Sequence, residues 1–228
     1  MGVRAQIKEV KMKKIFLSIV MISLFTVSMF WGSAIASTKS TPIVSGFYRS
    51  DHSKGIAYTG PNYLTSYGYR QYVRENSSFS SFCTDLRYND IIFVNSHGDA
   101  GQVTLSNDRT GFSGNDVSAS NITVNARMVY LATCYGANTS STYGNVCLEL
   151  YRKGVDVVVG FKEALSAPNS ALETGGIHRF NMLFLYNFTD GYNVRISLDM
   201  AVEQIVDETG LDWGGASYYL LGYQTMTF

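Results

Sequence analysis

The sequence predicts an α/β protein with a mostly parallel central sheet, and three observations carry that prediction. Apolar runs at Asp90 to Asn95, Met128 to Ala132 and Val155 to Phe161 are continuous rather than alternating, as in strands covered on both faces. The second and third runs are separated by a stretch of helical spacing, which makes a βαβ unit with a right-handed crossover. Two further stretches of three-and-four spacing then lead to one last strand pattern at Tyr218 to Tyr223.

Before the domain comes a leader. Met12-Lys13-Lys14 precedes an almost uninterrupted apolar stretch from Ile15 to Trp31, and Ala34-Ile35-Ala36 supplies small residues in the A-x-A spacing of a cleavage site. Residues 1–36 therefore read as a signal peptide, with Met12 as an alternative start, and the expected mature chain runs from Ser37 to Phe228. Cleavage leaves a secreted domain with no membrane span. Those 192 of the 228 residues fit one domain with a sizeable core.

Order is expected from Ile43. Ile43 to Tyr48 reads as a strand, Gly60-Pro61-Asn62 as a turn, and the aromatic stretch Tyr67 to Val73 as a second strand. The serine-rich run from Glu75 to Ser81 reads as loop before the Asp90 to Asn95 strand, which ends at Ser96-His97-Gly98. Gln102 to Leu105 offers a short strand, and Ser106 to Asn125 is mostly loop with one helical turn. Met128 to Ala132 stops at Thr133-Cys134-Tyr135-Gly136. A helix is expected over Tyr143 to Lys153 on the spacing of Val146, Cys147, Leu150 and Tyr151, with Gly154 as its C-terminal cap before the Val155 to Phe161 strand. Gly175 to Phe188 and Val194 to Thr209 read as helices joined at Asp190-Gly191.

Composition narrows the function. After cleavage, 13 Lys and Arg face 17 Asp and Glu, and no basic run remains to grip nucleic acid. Three histidines, widely spread, give no second ligand at zinc spacing beside His97-Gly98-Asp99. No G-x-S-x-G elbow, phosphate loop or dinucleotide fingerprint is present. No metal or cofactor is called for. Cys83, Cys134 and Cys147 are odd in number, so at least one thiol is unpaired in an oxidising compartment. A Cys83 to Cys147 bridge would leave Cys134 free; buried free thiols are the other arrangement.

In open α/β sheets, sites form beyond the carboxyl ends of the strands. One such end delivers His97 and Gly98, another Cys134, so imidazole and thiol leave the same sheet edge. A cysteine near a helix N-terminus and an imidazole favours its thiolate. The backbone N–H groups of Gly98 and Cys134 are placed to meet an oxyanion, with glycine allowing substrate to approach closely. Asp99, Asp116 and Glu163, on loops, are the candidates for lining a substrate pocket, and nothing in the sequence selects among them. His52 and His178 lack such context and read as solvated or packed residues.

An apolar strand ending in His-Gly, followed by a second ending in a small residue and Cys, resembles the caspase-like cysteine peptidases, the clan of clostripain, gingipain, legumain and the caspases. Ile91 to Gly98 and Val129 to Cys134 carry the likeness. Gly154 to Gly160 looks like the family's next strand, and Phe180 to Ala201 is similar to its helix, Gly and helix segment. The resemblance implies a caspase-like three-layer sandwich acting on peptide or protein substrates. It also implies an acyl-enzyme on Cys134 with His97 protonating the leaving amine. Clostripain-like members carry an Asp two residues before the nucleophile, where this chain has Ala132, so a basic P1 preference does not carry over. Two other expectations stand beside it: a catalytically silent caspase-like binding module, and a peptidase confined to itself or one dedicated partner.

Overall fold

The computed structural model describes residues 41–49, 55–166 and 176–228. The expected leader and cleavage site, and His52, lie outside them. Nine strands are present among the described residues: β1 (Ile43–Tyr48), β2 (Arg70–Glu75), β3 (Ile91–Asn95), β4 (Gly98–Asp99), β5 (Gln102–Thr104), β6 (Gly111–Ser113), β7 (Met128–Ala132), β8 (Val157–Phe161) and β9 (Tyr218–Gly222). The α-helices are α1 (Gly55–Thr65), α2 (Phe79–Tyr88), α3 (Gly114–Ala119), α4 (Val146–Arg152), α5 (Gly176–Thr189) and α6 (Val194–Thr209).

Six strands form the main sheet in the order β2-β1-β3-β7-β8-β9, parallel throughout except for β9, which runs antiparallel to β8. The strands' alternation explains their unbroken apolarity. Ile91 and Phe93 of β3, Met128 and Tyr130 of β7, and Val157 and Val159 of β8 join one core cluster with α1, α5 and α6. Ile92 and Val94, Val129 and Leu131, and Val158 join a second with α2, α3 and α4. Both faces are thus buried, and the fold is a three-layer sandwich as the sequence predicts. Strands β4, β5 and β6 make a small antiparallel sheet beyond the end of β3.

Differences from the sequence reading have local causes. Gly60-Pro61-Asn62 lies inside α1 rather than in a turn. Pro61 has no N–H to donate to the Ala57 carbonyl four residues back, and that oxygen lies where a Cβ on Gly46 of β1 would sit. Only glycine lets the helix backbone rest this closely on the strand. The serine-rich stretch begins α2, because Ser78 is an N-cap whose side chain accepts from Ser81 N–H. Phe82 and Leu86 supply the buried stripe. Edge strand β2 starts later than expected, at Arg70, with Arg74 making a two-pronged pair to Asp85 of α2 (Nε–Oδ2 3.0 Å, Nη2–Oδ1 2.8 Å). The polar loop after β5 contains β6 and the short α3, started by a reciprocal capping box between Ser113 and Asp116. Cys83, Cys134 and Cys147 are all free thiols.

Candidate active site

The site's geometry follows from strand register. Parallel β3 and β7 pair Asn95 with Ala132, so His97 and Cys134 stand two residues past matching positions on adjacent strands. Ser96 N–H still donates to the Ala132 carbonyl (3.3 Å). His97 is exposed and Cys134 half-buried. The histidine's backbone is held from the small sheet, where Thr104 donates to the His97 carbonyl through both its N–H and its Oγ1, each at 3.0 Å. That bond makes the next pair, Gly98 with Val103, a non-hydrogen-bonded one, in which Gly98's N–H points away from β5.

The glycine after the histidine has a packing reason. A Cβ on Gly98 would lie 2.7 Å from the Cys134 carbonyl oxygen and 2.8 Å from Thr133 Cβ. The two loops therefore touch through backbone, and glycine is needed for loop-to-loop contact rather than only for room around a substrate. Thr133, fully buried, wedges against Gly98 on one side and Gly136 on the other.

Cys134 itself sits on a sharp exit from β7. Thr133 N–H folds back onto the Leu131 carbonyl (2.9 Å), and Tyr135 takes φ 55°, a left-handed conformation uncommon for a tyrosine. Tyr135 N–H then donates to the Glu163 carbonyl (3.1 Å) and Ala137 N–H to the Phe161 carbonyl (3.0 Å), tying the turn to the end of β8. The Cys134 sulfur accepts the Leu165 N–H at 3.3 Å and lies 3.9 Å from the Leu165 carbonyl oxygen.

One expected source of thiolate stabilisation is displaced. Helix α4 begins only at Val146, capped by Asn145 through Leu148 N–H, and the chain between it and Cys134 makes turns around a Ser140–Gly144 bridge. The helix N-terminus thus serves Cys147, whose side chain is wholly buried. The Leu165 N–H is a group that sequence reasoning missed, for a physical reason: a backbone donor leaves no side-chain signature.

The three candidate pocket acids part company. Asp116 is committed to its capping box, accepting from Ser113 N–H and Oγ, each at 2.7 Å. Asp99 follows Gly98 directly, with Oδ1 accepting from Ala100 N–H (2.7 Å). Glu163 is exposed, and its carbonyl is bonded to the Cys134 turn. Ala132, where the clostripain-like pattern has an acid, is buried in the core. His178 lies buried in the first turn of α5, beside Asn95 and over Gly55. Among the described residues, no group of three or more His, Cys, Asp or Glu is placed to hold a metal ion.

No protein-family model matches the chain, and no curated protein matches it. Solved structures do. The chain is similar to gingipain R, described as an Arg-specific cysteine proteinase, with a TM-score of 0.60 at 9% identity over 82% of this chain and 47% of that one. It is similar also to the separase–securin complex of Saccharomyces cerevisiae, with a TM-score of 0.51 at 14% identity over 79% of this chain and 12% of the other. The chain thus spans about half of the gingipain chain and an eighth of the separase-complex chain. With its mostly parallel six-stranded sheet between two helical layers, the chain has a caspase-like α/β fold.

Proposed function

We propose that this protein is an exported cysteine-type endopeptidase, with Cys134 as nucleophile and His97 as its acid–base partner. The observation that supports the reading most is the register of β3 and β7, with Asn95 opposite Ala132 and the Gly98 backbone packed on the Cys134 carbonyl. The fold likeness to a cysteine proteinase adds to it.

In this mechanism the Cys134 thiolate attacks the scissile carbonyl carbon. Negative charge develops on the carbonyl oxygen, and the N–H groups of Gly98 and Cys134 receive it. His97 gives a proton to the leaving amine as the C–N bond breaks, leaving a thioester on Cys134. His97 then takes a proton from water, which attacks the thioester and releases the acid. No cofactor enters. Substrates are peptides or proteins bound across the edge of the sheet. Asp99 and Glu163 are the acids available to a substrate side chain there, since Asp116 is committed to its helix cap.

The test is hydrolysis of a mixed peptide library by the mature chain and two variants. Cys134→Ala should remove cleavage altogether, and His97→Ala should slow it about 10²–10⁴-fold, with thermal melting unchanged in both. Undiminished hydrolysis in either variant would overturn the assignment.

A further inference from the structure

A thiol becomes a nucleophile when something stabilises its anion, and at Cys134 helix α4, which begins only at Val146, donates no hydrogen bond to the sulfur. The donor at the sulfur is instead the peptide N–H of Leu165, 3.3 Å from Sγ, in the segment leaving β8. We infer that the Leu165 N–H is a catalytic group of this site, a fixed donor that favours the thiolate form of Cys134.

The case rests on how firmly that N–H is held. Before Leu165, Asn138 Nδ2 donates to the Lys162 carbonyl (2.9 Å) and Tyr135 N–H to the Glu163 carbonyl (3.1 Å). After it, Ser166 N–H donates to the Trp213 carbonyl (3.3 Å) and Ile177 N–H to the Ser166 carbonyl (3.1 Å). Beneath, the Leu165 side chain packs on the core cluster of α1, α5 and α6. The backbone of Ala164 and Leu165 crosses closely over Gly214, where a Cβ would meet the Ala164 oxygen at 2.6 Å. Two of these anchors, Tyr135 and Asn138, belong to the Cys134 turn itself. Sulfur and donor are thus positioned by one hydrogen-bonded unit, and no reorganisation is needed when charge appears.

The two protonation states meet different partners on Leu165. A neutral thiol donates weakly towards the carbonyl, 3.9 Å away, whereas a thiolate accepts from the N–H, which is nearer. Hydrogen bonds to a charged partner are the stronger kind. The arrangement therefore favours the anion.

The inference rests on Cys134 being the nucleophile, and the experiment keeps the two apart by reading the sulfur without a substrate. In the mature chain, Leu165 is replaced by its α-hydroxy acid, which turns one amide into an ester and deletes only this N–H. Leu165→Pro deletes it by a second route. Iodoacetamide alkylation of Cys134 is followed from pH 6 to pH 10, with the buried Cys147 staying unlabelled as the sign that the fold is intact. Both variants should react about tenfold more slowly near pH 6, from the loss of one charge-assisted bond. At pH 10, where ionisation is no longer limiting, they should match or slightly exceed the parent, because a less stabilised thiolate is the better nucleophile. An unchanged profile overturns the inference. So does equal slowing at every pH, which would mark Leu165 as shape alone, or acceleration at every pH, which would mark it as a cover. If the pH-selective loss appears in a chain that cleaves no peptide, the donor stands and the peptidase reading falls. Cys134-dependent cleavage with an unchanged profile gives the reverse.

Discussion

Cys134 and Cys147 share one stretch of chain, yet their surroundings differ in the respects that decide reactivity. Cys134 is half-buried at a strand exit, with a backbone N–H on its sulfur. Cys147 lies in the first turn of α4, where the helix dipole favours an anion, and its sulfur lies 3.8 Å from the Gly136 carbonyl oxygen. Burial nonetheless pushes the Cys147 thiol up to about 12. The magnitudes show why. A helix terminus contributes about 0.3–2 kcal/mol, while a shift from an ordinary thiol near 8.5 to that value is worth roughly 5 kcal/mol at about 1.4 kcal/mol per unit. Being at a helix N-terminus does not activate a cysteine that is also desolvated, so access and a local donor matter more than helix position.

The largest expected effect of this contrast is in labelling. In the native chain from Ser37 to Phe228 at pH 7.5, Cys134 should alkylate at least on the order of 10³ times faster than Cys147, whose thiolate fraction is small and whose sulfur is enclosed. Cys83, half-buried with its thiol raised by burial, should fall between them. Peptide mass mapping at short times reads all three sites. Comparable labelling of Cys147 would erase the distinction.

The same contrast explains which parts were legible in the sequence. Strands β3, β7 and β8 are buried on both faces, so their apolarity is unbroken and their ends, with His97 and Cys134, can be read directly. Helix α6 carries its own punctuation, with Asn193 accepting from Ile196 N–H at the start and Gly210 at φ 73° at the end. What escaped was set partly by tertiary contact and partly by a local cap. Helix α1 runs through Pro61 because β1 offers Gly46 beneath it, and α2 begins in a serine cluster because one serine is a cap. At the site, the side-chain chemistry of His97 and Cys134 was visible. The Leu165 donor was not, since any residue other than proline at that position carries the same N–H.

Tight packing around Cys147 gives the next effect. A methyl on Gly160 of β8 would press well inside contact distance of the Cys147 sulfur and reach 3.2 Å from Ala137 Cβ. Gly160→Ala should therefore destabilise the fold by about 3 kcal/mol, the upper end for overpacking a core, measured by urea denaturation. Cys147→Ala removes the obstructing sulfur, so the double variant should recover most of that loss. Simple additivity of the two changes would mean that they are not in contact. No such coupling is expected between Gly160→Ala and Cys134→Ala, because the Cys134 sulfur faces the Leu165 segment instead.

Burial of Cys147 also links stability to alkaline pH, with a definite sign. The unfolded chain releases this proton near pH 8.5, whereas the folded chain holds it to about 12. Between those values the unfolded state binds fewer protons, so stability falls as pH rises. At pH 10 the expected loss from this group is about 2 kcal/mol relative to pH 7, at roughly 1.4 kcal/mol per unit. Urea unfolding of parent and Cys147→Ala at both pH values isolates the term, because tyrosines raised by burial, among them Tyr130 and Tyr218, are common to both proteins. Cys147→Ala should be less stable than the parent at pH 7, through its cavity, and the gap should narrow by about 2 kcal/mol at pH 10. A gap that stays constant would mean that Cys147 reaches solvent in the folded chain. The two thiols would then differ in their donors but not in their burial.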